Sequence, residues 1–245
     1  MKIILIRHGT PDYELDALTE KGVREAKLLA ERVAKWENIT QFYCSPLGRA
    51  KQTASYSLEK TGREAITYDW MREFSYFIDD PVTGRHGVPW DFMPSYWTKI
   101  PEMYDKNAWQ TTDIYLSNET ILPAYREVCE GLDKLLSSYG YERHENYYVT
   151  TPACKKPEGT PEDIIVIFCH LGVTCMMLSH LLGISPVPLL HNFFLATTSV
   201  TVLGTEERMA DDAIFRVQMM GDTSHLLQGG EPVSKAGYFT EPFQG

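Results

Sequence analysis

The run Ile164-Ile165-Val166-Ile167-Phe168-Cys169 places six apolar residues in succession, with β-branched side chains predominating. A strand that is apolar on both sides must be covered on both faces. A chain that contains it therefore has to supply helices above and below a sheet. Lys2 to Ile6 is a second short β-branched run, stopped by Gly9-Thr10-Pro11. Between these runs lie stretches of helical period. Val23, Ala26, Leu29, Ala30, Val33, Ala34 and Trp36 predict an amphipathic helix over 19–36 with Thr19 as N-cap. Ile39 to Cys44 reads as a strand. Ser45-Pro46 then predicts a helix start, with Ser45 as N-cap, Pro46 in the first position and an end near Gly62. A short strand at 66–68, helices at 117–139 and 172–182, and closing strands at about 197–204 and 213–220 complete the reading. The expected fold is α/β: a three-layer α/β/α sandwich with a mostly parallel central sheet.

Two stretches break the alternation. Residues 74–115 hold ten aromatic residues in 42 positions, and residues 140–163 are polar and tyrosine-bearing. Both read as insertions on a single domain spanning 1–245. The charge sum, 23 − 33 = −10, argues against general binding to nucleic acid or anionic membranes and leaves room for one local basic pocket. The five cysteines lack a C-x-x-C pair and read as reduced thiols, mostly buried. Arg7 and His8 end the first apolar run too early for a signal peptide, and no stretch approaches the 18 or so apolar residues of a membrane span. The expected location is cytoplasmic.

In an open α/β sheet, ligands bind beyond the carboxyl ends of the strands. Three such junctions carry chemistry: Arg7-His8-Gly9-Thr10, Cys44-Ser45-Pro46-Leu47-Gly48-Arg49 and His170-Leu171-Gly172. Taken singly, each has a plain reading: a surface Arg-His pair, a solvated arginine, a core histidine. If the strands are neighbours, two arginines and two histidines converge on one rim and require an anion. Arg49, in the first turn of its helix, adds the dipole's preference for negative charge. The implied ligand is a phosphate.

Arg7-His8-Gly9-Thr10 resembles the signature of the histidine phosphatase superfamily, the phosphoglycerate mutase-like fold. Leu18-Thr19-Glu20-Lys21-Gly22 and Ser45-Pro46-Leu47-Gly48-Arg49-Ala50-Lys51-Gln52-Thr53-Ala54 resemble its next motifs, and His170 stands where its second histidine belongs. The likeness covers residues 1–75 and about 164–205. The family usually has a small residue and Gly-Gly around that second histidine, where this chain has Cys169-His170-Leu171-Gly172. Met71-Arg72-Glu73-Phe74 matches its glutamate without the glycine-tryptophan that commonly follows, leaving Asp79 and Asp80 as alternatives.

The resemblance implies phosphoryl transfer to His8 and then to water. Arg7, Arg49 and Thr10 would hold the phosphate and His170 would donate to it. Glu73 would protonate the departing alkoxide and later activate water. Neither metal nor cofactor is implied. Thr10-Pro11-Asp12-Tyr13 lacks the Asn-bearing stretch of the mutases, which favours a phosphatase. Pro11 and Leu171 depart from the acid-phosphatase and phytase branch. Tyr76, Phe77, Trp90, Phe92, Tyr96 and Trp97 suggest an apolar or ring-bearing leaving group; alternatively they pad the core or form a homodimer interface. Basic residues there are few, chiefly Arg72, Arg85 and Lys99, which favours a small phosphate monoester. The competing readings are a phosphoglycerate-type mutase, a non-catalytic module that binds a phosphorylated partner, and a metallohydrolase, for which no H-x-H or H-x-x-E-H spacing exists.

Overall fold

In this computed structural model, which describes all residues but 156, 158, 210 and 245, the period-2 rule divides the first strand between two cores. Strand β1 (Lys2–Arg7) sends Ile3 and Leu5 to one face and Ile4 and Ile6 to the other, and all four are buried. Helix α1 (Glu20–Val33) follows, with the Thr19 hydroxyl accepting from Gly22 N–H at 3.1 Å as its cap. Strand β2 (Gln41–Cys44), helix α2 (Gly48–Thr61) and strand β3 (Ala65–Thr67) come next. Leu29, Val33, Ala50 and Ala54 of the two helices seal the face bearing Ile4 and Ile6.

Helix α3 (Ile121–Ser137) precedes a hairpin of β4 (Tyr141–His144) and β5 (Tyr147–Thr150). Then come β6 (Ile164–Cys169), α4 (Leu171–Leu182), α5 (Pro186–Asn192), β7 (Val200–Met209), β8 (Asp212–Asp222) and α6 (Ser224–Gly229). Helices α3, α4 and α5 cover the face bearing Ile3, Leu5, Ile165 and Ile167, so the three-layer sandwich is present. The sheet order is β3-β2-β6-β1-β7-β8-β5-β4. No helix among the described residues is long and apolar enough to cross a membrane.

Four details differ from the sequence reading. The sheet is parallel only from β3 through β1; the other four pairings are antiparallel. Strands β7 and β8 form one long hairpin, and antiparallel order follows wherever a short turn joins consecutive strands. The 140–163 stretch is not wholly an insertion, because Tyr141 and Tyr148 bury themselves and extend the sheet by two strands. Its residues 156 and 158 lie outside the described residues. Helix α3 starts at 121, not 117, because the Asn118 side chain accepts from Thr120 N–H at 2.9 Å and holds a turn there. Helix α2 starts at Gly48 after Leu47, so Ser45 and Pro46 lie outside it and Ser45 serves the site instead.

Most rings of the 74–115 stretch are core. Trp97, Trp109 and Tyr115 are buried against the α3 side, with Trp109 edge-on to Tyr115 and to Tyr125 at 5.1 Å. Tyr76 and Tyr96 pack partly buried against the same cluster.

Candidate active site

The parallel half of the sheet sets β2, β6 and β1 side by side, and their carboxyl ends bring Ser45, His170 and Arg7-His8 together. The register pairs Arg7 with Cys169, so the two histidines that follow are neighbours. Their ring centroids are 5.0 Å apart. Both rings are buried, at 1% and 0% exposure.

The His8 ring is fixed at one nitrogen and open at the other. Nδ1 lies 2.7 Å from the Gly9 carbonyl, which makes it the protonated nitrogen. Nε2 accepts from Arg49 Nε at 3.3 Å, so its lone pair is free of a proton. Burial, followed by the charge of Arg7, holds the His8 pKa well below the ordinary imidazole value. His170, driven down chiefly by burial and then by His8 and the arginines, is likewise neutral. Its Nε2 lies 2.7 Å from Ser45 Oγ, which itself accepts from Leu47 N–H at 3.2 Å. Ser45 therefore donates to Nε2, leaving the proton of His170 on Nδ1, a buried donor without a protein partner.

The arginines are held from behind. Arg7 donates to the Leu195 carbonyl at 2.6 Å and the Ala236 carbonyl at 3.1 Å, while its Nε is buried without a partner. Arg49 Nη1 donates to Asp16 Oδ1 at 2.6 Å, and Asp16 Oδ2 accepts the Gly48 N–H at 2.6 Å. Two donors in the core thus await an acceptor beside a deprotonated imidazole nitrogen. An anion with several oxygens fits that need.

Glu73 stands on the same cavity wall as Arg7 and Arg49. Its Oε1 accepts from Phe74 N–H at 2.8 Å and from Val173 N–H at 3.1 Å, in the first turn of α4. Burial outweighs these donors and the arginines and raises its pKa. With Oε1 committed as acceptor, the proton of the neutral form sits on Oε2. A Cβ at Gly172 would lie 2.7 Å from that Oε1 and 2.9 Å from the Trp90 ring, so a side chain there would displace the end of Glu73 or of Trp90. The alternatives are engaged elsewhere: exposed Asp79 pairs with His86 at 2.8 Å, and Asp80 caps a turn by accepting from Thr83 N–H at 2.6 Å.

Thr10, like His8 and His170, does not itself line the cavity, and its donors turn away from the arginines. Its N–H and hydroxyl both go to Glu25, at 2.7 Å and 2.9 Å. Glu25 is fully buried with its pKa raised by burial, and it anchors the loop that carries His8. On the other side, Thr198 takes a left-handed conformation (φ 57°) and donates its N–H to the His8 carbonyl at 3.2 Å. Sequence reasoning missed Glu25, Asp16 and the role of Ser45. Only the nearness of Glu25 to the Thr19 cap signalled it.

The cavity in front of this cluster measures about 1160 Å³. Among the described residues, no group of three or more His, Cys, Asp or Glu side chains is placed to hold a metal ion. Fold and site define an α/β sandwich protein with a pocket rich in hydrogen-bond donors at the carboxyl edge of its parallel strands. Residues 3–80 match the family model of the histidine phosphatase superfamily (branch 1). A probable phosphoglycerate mutase of Serratia proteamaculans is 33% identical over 82 residues, 30% of this chain and 38% of that protein. One of Yersinia pestis is 32% identical over 84 residues, 31% and 39%. The matched segment thus spans about two fifths of these relatives. Among solved structures, a mycobacterial glucosyl-3-phosphoglycerate phosphatase superposes with a TM-score of 0.57 at 16% identity, over 90% of this chain and 98% of that one. A phosphoserine phosphatase from Entamoeba histolytica gives 0.54 at 17%, over 92% and 98%. The matched segment is thus similar to that of the histidine phosphatase superfamily, and the fold is shared with these two phosphatases.

Proposed function

We propose that the protein is a phosphatase that hydrolyses a small phosphate monoester through a phosphohistidine on His8. The observation that carries this reading is the His8 ring, with Nδ1 fixed on the Gly9 carbonyl and the Nε2 lone pair beside Arg49. Nε2 attacks phosphorus, the bond to the leaving oxygen breaks, and Glu73 Oε2 delivers its proton to that oxygen. The Glu73 carboxylate then takes a proton from water as the water attacks phosphorus, and the N–P bond breaks to restore His8. Arg7, Arg49 and His170 Nδ1–H stabilise the charge on the phosphoryl oxygens, work that needs positioned donors and no metal. Thr10 acts behind the site, through Glu25.

The relatives named as probable mutases support a second reading, transfer between two positions of a phosphoglycerate. One experiment addresses both. Wild type quenched with labelled p-nitrophenyl phosphate, in excess EDTA, should carry acid-labile label and release inorganic phosphate, while His8→Ala carries none. Undiminished turnover by His8→Ala overturns the mechanism. Loss of activity restored only by a divalent ion overturns the metal-free route. Label passed to phosphoglycerate in preference to water makes the protein a mutase.

A further inference from the structure

Beyond the histidine cluster the cavity is larger than a phosphate needs, somewhat above the usual span of small-molecule sites (about 300–1000 Å³). Three separate segments wall it with rings: Phe77 and Trp90, then Phe193 and Phe194, then Tyr238 and Phe239 of the C-terminal tail. Trp90 packs partly buried against the core, and most of the other rings are more open. Phe77, Phe193, Tyr238 and Phe239 are 49%, 43%, 40% and 69% exposed, although they gather around one concavity. Exposed apolar surface gathered in this way marks a binding site. The tail is placed for it: Phe194 and Tyr238 stack with centroids 4.3 Å apart, and Ala236 is bonded to Arg7.

Charge gives the second constraint. Outside Arg7 and Arg49, the cationic side chain on the wall is Arg85, which shares the wall with Asp80 and Asp91. His191 also lines it but is neutral, its pKa held at about 4 by burial, and its Nε2 accepts from Phe92 N–H. A carboxylate or second phosphate on the substrate would meet two carboxylates and one arginine.

Resting on the phosphatase reading above, we propose that the substrate is a monoester of an uncharged, ring-bearing alcohol, with one phosphate as its sole anionic group. Phosphoglycerates and bisphosphates are thereby disfavoured. Stacking on Phe239 and Trp90 buries the ring of the leaving group and selects it.

The test compares kcat/KM for 2-phenylethyl phosphate, glycerol 2-phosphate and 3-phosphoglycerate, all alkyl esters that need the same leaving-group proton. Burial of one ring should favour the phenylethyl ester by about tenfold or more. Phe239→Ala, at an exposed tail position, should shrink that ratio to within about threefold. Phosphoglycerate turned over as well as the phenylethyl ester overturns the substrate class, and a ratio untouched by Phe239→Ala overturns the part given to the tail. The phosphatase reading is read separately, from p-nitrophenyl phosphate. Its His8-dependent hydrolysis without ring preference sinks the substrate class alone, whereas hydrolysis of no ester at all sinks both.

Discussion

The role of proton donor proposed for Glu73 rests on burial, which raises its pKa, and on two N–H groups that fix one of its oxygens. An alkoxide needs that proton in the transition state and a nitrophenolate hardly does. Glu73→Gln should therefore slow phosphoenzyme formation from an alkyl phosphate by about 10²-fold or more and leave the p-nitrophenyl phosphate burst nearly intact. Equal losses in the burst would make Glu73 structural. The pH profile follows from the same groups. His8, with its pKa depressed, stays nucleophilic as pH falls past 6.5, so the acid limb of kcat/KM lies below that value. Glu73, with its pKa raised, gives an alkaline limb that Glu73→Gln should abolish. Arg49 spans His8 and Asp16 with a fork that lysine lacks. Arg49→Lys should cost about 10²-fold in kcat, and near-normal kcat would remove Arg49 from the phosphoryl group. Arg7, His8 and His170 were legible because they stand at or just past the end of a recognisable apolar run, and Arg49 because it lies in the first turn of the helix that follows one. Glu25 and Asp16 were not, since they meet their partners across 15 and 33 positions. For Thr10 the motif position is visible in the sequence, whereas the Glu25 carboxylate that takes both of its donors is not.

At the scale of elements, the first turn of α4 serves the helix and the site with opposing demands. Alanine at position 172 would gain about 1 kcal/mol in helix propensity, yet its Cβ meets the flexible end of Glu73 and the Trp90 ring. Gly172→Ala should leave the thermal midpoint within a few degrees of wild type and lower kcat about tenfold or more, because Glu73 is what gives way. A large drop in midpoint with kcat retained would refute that order of yielding. The alternation of α1, β2, α2, β6 and α4 was readable because each has a clean period and a cap or glycine stop, Gly62 and Gly183 both left-handed. The antiparallel half was harder. Strands β4 and β5 are four residues each with two buried positions in the stronger one, too short to stand out from a polar loop. Ser45-Pro46 carries a helix-start pattern, but the pull of His170 on the Ser45 hydroxyl takes that side chain away from any cap.

Across the whole molecule, three buried histidines (His8, His170 and His225) and the half-buried His191 are neutral in the folded state. His225, 4% exposed and bonded to the Thr198 hydroxyl at 3.0 Å, has its pKa lowered to about 4 by burial and then by Arg32. Above pH 6.5 neither state binds its proton and stability is unaffected. Between 6.5 and about 4 the unfolded chain takes up the proton and the folded one does not, so stability falls, by at most about 3 kcal/mol from this group. Asp91, raised to about 6 by burial, acts with the opposite sign over part of that window. The thermal midpoint should drop as pH goes from 6.5 to 4, and His225→Gln should make the slope shallower; an unchanged slope would exclude His225 as a source. The position of β1 has another consequence, one of timing. The strand that carries Arg7 and His8 is made well before both of its neighbours, β6 and β7. The carbonyl that steadies Arg7 from the tail comes later still, at Ala236. Pairing across such separations is slow and waits on synthesis. A nascent chain therefore leaves the surroundings of His8 unformed until β6, β7 and the segment through Ala236 have been made, and a product that stops short of β6 carries an unpaired apolar strand.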